Sequence, residues 1–221
     1  MKKEELRHDP VRENIVKGVQ YFSENTGTVL QVFAAIAIAV GGLSYYNHAG
    51  NIKMENASHL AGRAQNTFIN GNLDEANVKF ERVLADYPNT PGAVQSLVYL
   101  LNTAISNNNI TEVKRLLSEN NGAIHDPRVL AAFYKLQGDV ARNEADFASA
   151  IKYFQKAQNI GSENQSQVDC QLNIASTFLA QNNYENAIQT LQKIIDNGDA
   201  GFNEKNIAEE LIAYAKHKMR I

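Results

Sequence analysis

The 221-residue chain has no tryptophan and one cysteine, Cys170. A lone cysteine excludes an intramolecular disulfide framework and any zinc site that needs more than one thiolate. Four prolines and thirteen glycines are too few for the turns of a loop-rich all-β fold. Charge of one sign is also lacking. The net charge is -3, from 21 basic and 24 acidic residues, so no large basic field points to nucleic acid. No glycine-rich loop cradles a phosphate. The five histidines (His8, His48, His59, His125 and His217) are scattered without metal-ligand spacing. Cys170 reads as a small packing residue rather than a nucleophile. Asp126, beside His125, reads as a helix cap. The chain therefore offers no catalytic, cofactor-binding or metal-binding candidate, and an enzyme is not expected. With 44% apolar and 20% charged residues, it is also neither disordered nor a polytopic membrane protein.

One further absence is local. Residues 25–52 contain no Asp, Glu, Lys or Arg. Within them, 29–46 reads VLQVFAAIAIAVGGLSYY. These 18 residues would form a helix about 27 Å long, close to one hydrocarbon core. Its apolar members include Val29, Val32, Phe33, Ile36, Ile38, Val40 and Leu43, and Tyr45-Tyr46 sit where an interfacial aromatic pair belongs. A buried soluble helix would have a one-sided pattern nearby, and none is found. A cleaved signal peptide would lack the preceding 28 residues and would be followed by an A-x-A-like site. The expectation is an uncleaved, single-pass membrane anchor. Lys2, Lys3, Arg7, Arg12 and Lys17 precede it, whereas only Lys53 and Arg63 follow closely. That bias puts the N-terminus in the cytoplasm and the remainder outside it. In the tail, residues 1–28, Val11, Ile15, Val19 and Phe22 form one helical face, suited to a membrane surface or a membrane partner.

The outer segment, 47–221, is periodic. GNLDEANVKF (71–80), NNITEVKRLL (108–117), EADFASAIKYF (144–154) and QNNYENAIQTL (181–191) align at steps of 37 residues. The columns are Leu73, Ile110, Phe147, Tyr184; then Ala76, Val113, Ala150, Ala187; then Phe80, Leu117, Phe154, Leu191. An amphipathic stretch precedes each segment, at about 54–70, 90–106, 127–143 and 163–181. Each unit is therefore predicted to be a helical hairpin, in an all-α solenoid. Thr90-Pro91 and Asp126-Pro127 are start signals for the first helix of a unit, and asparagine-rich stretches mark the breaks. Asn203 is the expected cap of a last helix, 204–220. Its Ile207, Leu211, Ile212 and Ala215 should face the stack, while Glu204, Lys205, Glu209 and Glu210 face water.

These columns resemble the tetratricopeptide repeat, a unit of about 34 residues with two helices, A and B. Repeats fall at about 57–90, 94–127, 131–164 and 168–201. The first matches through Ala64, Gly71, Ala76, Phe80 and Pro88, the third through Gly138, Ala150, Phe154 and Ala157, and the fourth through Ala175, Phe178, Ala187 and Leu191. In the second, Leu101 and Val113 replace the small pair, so a wider or tilted hairpin is expected there. The resemblance implies a concave, protein-binding face lined by helix A. The matching positions are Gln65 and Phe68; Asn102 and Ile105; Lys135, Asp139, Arg142 and Asn143; and Asp169, Leu172, Ser176 and Leu179. The third repeat carries the most charge and is the first candidate.

The whole layout, with the tail IVKGVQYFSEN (15–25), the span and the repeats, resembles the bacterial YfgM-like ancillary subunit of the Sec translocon. That resemblance implies an inner-membrane protein with a periplasmic repeat domain. Its partners would be translocon subunits, chaperones or emerging client polypeptides, with no cofactor and no nucleic acid. A second expectation on the same fold is a scaffold for envelope or cell-wall assembly. An enzyme would require several titratable groups meeting in one cleft. The terminal helix, 204–220, is the place where a homo-oligomer would form.

Overall fold

A computed structural model describes the backbone of residues 26–161 and 164–220, and the side chains of 34–161 and 166–220. The chain divides into two units, Met1–Asn56 and Ala57–Ile221. Every regular element among the described residues is a helix: α1 (Thr26–Ile69), α2 (Leu73–Asp86), α3 (Pro91–Ser106), α4 (Ile110–Glu119), α5 (Pro127–Asn143), α6 (Phe147–Ile160), α7 (Asn164–Ala180), α8 (Tyr184–Asp196) and α9 (Phe202–Lys218). The amphipathic tail at 11–22 lies outside the described residues.

In the first unit, every described side chain from Ala34 to Ala49 is exposed. Ile36, Ile38, Val40 and Leu43 are among them, with Tyr45 and Tyr46 beyond. Val29, Val32 and Phe33 belong to α1, but their side chains are outside the described set. Among the described residues, no helix is long and apolar enough to cross a membrane. The side chains of 29–33, at the start of the window 29–46, lie outside that set.

The second unit is a stack of four helical hairpins closed by α9. The repeat columns explain why. Leu73, Ile110, Phe147 and Tyr184 are the first residues of α2, α4, α6 and α8. One turn in, Ala76, Val113, Ala150 and Ala187 are buried, as are Phe80, Leu117, Phe154 and Leu191 four residues later. The facing helix-A positions Ala64, Leu101, Gly138 and Ala175, again 37 residues apart, are buried too. Only the first column departs from a core role. Leu73 and Ile110 are 46% and 41% exposed, because a residue at the start of helix B lies at the rim of the hairpin.

The A-to-B turn repeats as faithfully as the core. Gly71, Asn108, Ala145 and Asn182 all take positive φ, and they too are 37 residues apart. In each turn that residue's N–H donates three residues back, as in Asn108 to Ile105 at 2.9 Å. The next N–H donates five back, as in Asn109 to Ala104 at 2.8 Å. This pair of bonds is a Schellman end, which satisfies carbonyls left open by helix A. In three of the four turns the residue that completes it also caps helix B, whereas Asn72 makes no side-chain cap bond. Asn109, Asp146 and Asn183 accept from the N–H three residues on. In those three turns, two positions thus end one helix and begin the next.

Helix A starts as expected at Pro91 and Pro127. Thr90 accepts from the Ala93 N–H, and Asp126 from those of Arg128 and Val129. The bonds to Asp126 hold its carboxyl below the ordinary range. The third hairpin is closely packed at Gly138. A Cβ on Gly138 would lie 2.5 Å from the Phe154 ring, so glycine lets that ring lie on the α5 backbone. In the second hairpin the larger Leu101 and Val113 occupy the two small positions, and both are buried between α3 and α4.

The last helix differs from expectation. α9 begins at Phe202, with Gly201 as the cap residue, so Asn203 lies inside the helix. Its buried stripe is Ala208, Ile212 and Ala215. Ile207 is 45% exposed, whereas Leu211 is half-buried and packs on the fourth-hairpin core as expected. Glu209 and Glu210 are exposed, whereas Glu204 and Lys205 are half-buried. Alanines at 208 and 215 let α9 lie close on α8, which turns the larger Ile207 outward.

Candidate protein-binding face

The helix-A residues fall into three groups. At the first hairpin the face is closed by packing. The Gln95 amide donates to Gln65 Oε1 at 2.8 Å. Phe68 meets Tyr99 edge-on at 5.1 Å, and Tyr99 stacks on Phe80 at 4.8 Å. Gln65 and Phe68 thus join α1 to α3.

The third and fourth repeats hold a charged cluster. Lys135 Nζ is 3.6 Å from Asp169 Oδ2, bridging α5 to α7. Arg142 Nη2 donates to Asp139 Oδ1 at 2.7 Å, and the guanidinium lies 5.5 Å from the centre of the Phe154 ring. Burial pushes the Asp139 carboxyl above its ordinary range, and the nearby Arg142 and Lys135 only partly oppose this. Cys170, buried beside this cluster, has its thiol pushed up by burial, which leaves it a packing residue. Leu172 packs on the fourth-hairpin core. Ser176 and Leu179 are half-buried and Asn143 is exposed.

Between α3 and α5 lies an open apolar groove of about 150 Å³. Asn102 and Ile105 line it together with Val98, Ile124, Val129, Ala132 and Leu136, and Leu97, Leu101 and Phe133 also contribute. Val98 and Ile105 are 41% and 46% exposed. A void of this size accepts one apolar group about as large as benzene. Asn102 is the one polar side chain in the lining. Apolar lining with a single polar group is the chemistry of a seat for an apolar side chain. The sequence reading missed Val98, Val129 and Leu136. Val98 could have been found, because it precedes Asn102 and Ile105 by four and seven residues on one helix face.

A tetratricopeptide-repeat family model matches residues 42–90 and 169–197. Those two stretches contain much of the first and fourth hairpins. Among solved structures, the chain is similar to one titled the crystal structure of the P58(IPK) TPR domain at 2.5 Å. The identity is 17% and the TM-score 0.38; the match covers 86% of this chain and 56% of that one. The chain therefore spans little more than half the length of that structure. No curated protein matches the chain. The repeats, hairpins and turns define an all-helical tetratricopeptide-like solenoid. Repeats of this kind indicate a protein–protein interaction scaffold.

Proposed function

We propose that the chain is a membrane-anchored scaffold that holds polypeptide segments by an apolar side chain seated between α3 and α5. The observation that carries this reading is the open groove beside exposed Val98 and Ile105. Monomeric surfaces seldom leave contiguous apolar ground uncovered without a partner. The anchor is supported by the charge-free stretch 25–52 and by the exposed side chains of Ile36, Ile38, Val40 and Leu43. Burying such residues is worth about 1.5–3 kcal/mol each. Lipid would supply that burial. The basic bias of residues 1–17 favours a cytoplasmic N-terminus and an outer repeat domain. The layout favours the translocon and its chaperones as the setting, on the YfgM-like resemblance.

The test is co-purification of the full chain in mild detergent, wild type beside Ile105→Glu. The expected outcome is recovery of translocon subunits or periplasmic chaperones with the wild type. Client polypeptide should be reduced at least tenfold with the variant. Recovery of cell-wall synthesis enzymes without translocon subunits would refute the translocon setting. Equal client recovery from both forms would refute the groove.

A further inference from the structure

One buried side chain breaks a core column. Positions 100, 137 and 174 lie 37 residues apart on α3, α5 and α7. Leu100 and Ile174 fill the column in the second and fourth hairpins, each 6% exposed. The third hairpin has Gln137 instead, 8% exposed, and its Oε1 has no hydrogen-bond partner. An unpaired polar atom in a core is costly, and native structures keep few of them.

Gln137 lines an open cavity of about 380 Å³ between α4 and the α5–α6 hairpin. Leu117 and Val140 give it an apolar wall, and the rest is rich in acceptors. Two carboxylates, Glu144 and Asp146, stand against one cation, Lys114. Lys114 Nζ is 2.6 Å from Glu144 Oε1, and the Ser149 N–H donates to Asp146 Oδ1 at 3.1 Å. A carboxylate has about four acceptor sites, so neither is used up. Bonds from the Ser149 hydroxyl and N–H hold Asp146 below the ordinary range, so it stays charged. The Ser118 hydroxyl donates to the Arg115 carbonyl at 2.9 Å, which leaves its own oxygen as an acceptor.

A ligand for such a cavity must bring donors. A guanidinium brings N–H groups in one plane and no acceptor, on an apolar stem. In a protein-interaction scaffold the natural bearer of a guanidinium is a polypeptide. We propose that this cavity takes an arginine side chain of a protein partner, its guanidinium donating to Gln137 Oε1 and to the carboxylates of Glu144 and Asp146, its stem lying on Leu117 and Val140. The last torsion of a glutamine is soft, so the amide can turn its oxygen toward the ligand. This cavity shares no lining residue with the α3–α5 groove, and the inference stands apart from that reading.

Fluorescence anisotropy on the full chain in mild detergent tests this. The probe is a dye-labelled peptide of three Gly-Gly-Arg units, beside a counterpart with citrulline, which keeps the shape and loses the charge. The arginine peptide should bind more tightly by about tenfold, the scale of a charge-assisted bond. Gln137→Leu alters no charge and restores the residue type of the column. It should raise Tm and weaken the arginine peptide by a similar factor. Glu144 is exposed, so Glu144→Gln should weaken the peptide with the fold intact, and it decides the question even if Gln137→Leu misfolds. Equal binding of the two peptides overturns the proposal. So does arginine binding unchanged by Glu144→Gln or by a folded Gln137→Leu protein, or no saturable binding of the arginine peptide.

Discussion

Replacing Ala145 with glycine should stabilise this protein, although it removes a methyl group and adds backbone freedom. Ala145 holds a φ of 61° in the third A-to-B turn, where the other turns have Gly71, Asn108 and Asn182. An L-residue there brings Cβ against the following carbonyl, at about 1–2 kcal/mol. Glycine relieves that strain but raises the entropy of the unfolded chain by about 0.4–1 kcal/mol. Ala145 is exposed, so little packing is lost. The net expectation for Ala145→Gly is about 0.5–1 kcal/mol of stabilisation, or roughly 1–4 °C in Tm for a domain of this size. Gly71→Ala is the mirror experiment. Its φ is 86°, and an added Cβ would meet nothing within 4 Å, so any loss is purely conformational. It should cost about 1 kcal/mol. Thermal unfolding followed by circular dichroism at matched concentrations reads both. Destabilisation by Ala145→Gly together with neutrality of Gly71→Ala would refute the left-handed turn as a conserved geometric requirement of the four hairpins.

Three further perturbations follow from particular contacts. Thr90 is buried, accepts from the Ala93 N–H and donates to the Tyr87 carbonyl at 2.7 Å. Thr90→Ala should cost about 1 kcal/mol in denaturant titration, and Thr90→Ser most of it less. A Cβ on Gly92 would sit 2.4 Å from the Ala57 carbonyl, and backbone cannot step aside. Gly92→Ala should lower Tm, with overpacking of about 1–3 kcal/mol outweighing the gain in helix propensity. Glu112 is held below the ordinary carboxylate range by the Arg115 hydrogen bond, against burial and together with Arg115's charge. Arg115 also binds Glu81 and Glu119. A depressed folded pKa adds stability above the ordinary glutamate range, and that stability is lost as pH falls through the depressed value. Arg115→Gln should therefore flatten the acid limb of the stability–pH curve, by no more than about 1 kcal/mol for so exposed a network.

Much of the fold was legible because the chemistry repeats in register. The columns at Ala76 and Phe80, the caps at Thr90 and Asp126, and the Asn and Gly turns each act within one hairpin. Local sequence therefore carries them. What could not be read depends on how hairpins meet. The α3–α5 groove exists because two helices A are spaced by the side chains beneath them, and periodicity says nothing of that spacing. The rotation of α9 follows from the size of Ala208 and Ala215, which choose the contact stripe over the larger Ile207. Gly201 begins that helix through its extended backbone (φ -66°, ψ 161°), whereas Asn203 had advertised a side-chain cap it does not make. At the first hairpin, Gln65 and Phe68 have the right spacing for a binding face. They are instead engaged with Gln95 and Tyr99 on the neighbouring helix.

The most direct test of the binding face is photocrosslinking of the membrane-embedded full chain. A benzophenone side chain is placed at position 105, in the groove, or at position 78. Val78, on α2, is 71% exposed and lies outside that groove. Polypeptide adducts at 105 with few at 78, lost on adding Val98→Glu, are what the account predicts. Equal labelling at the two positions, or adducts at 78 alone, would contradict it.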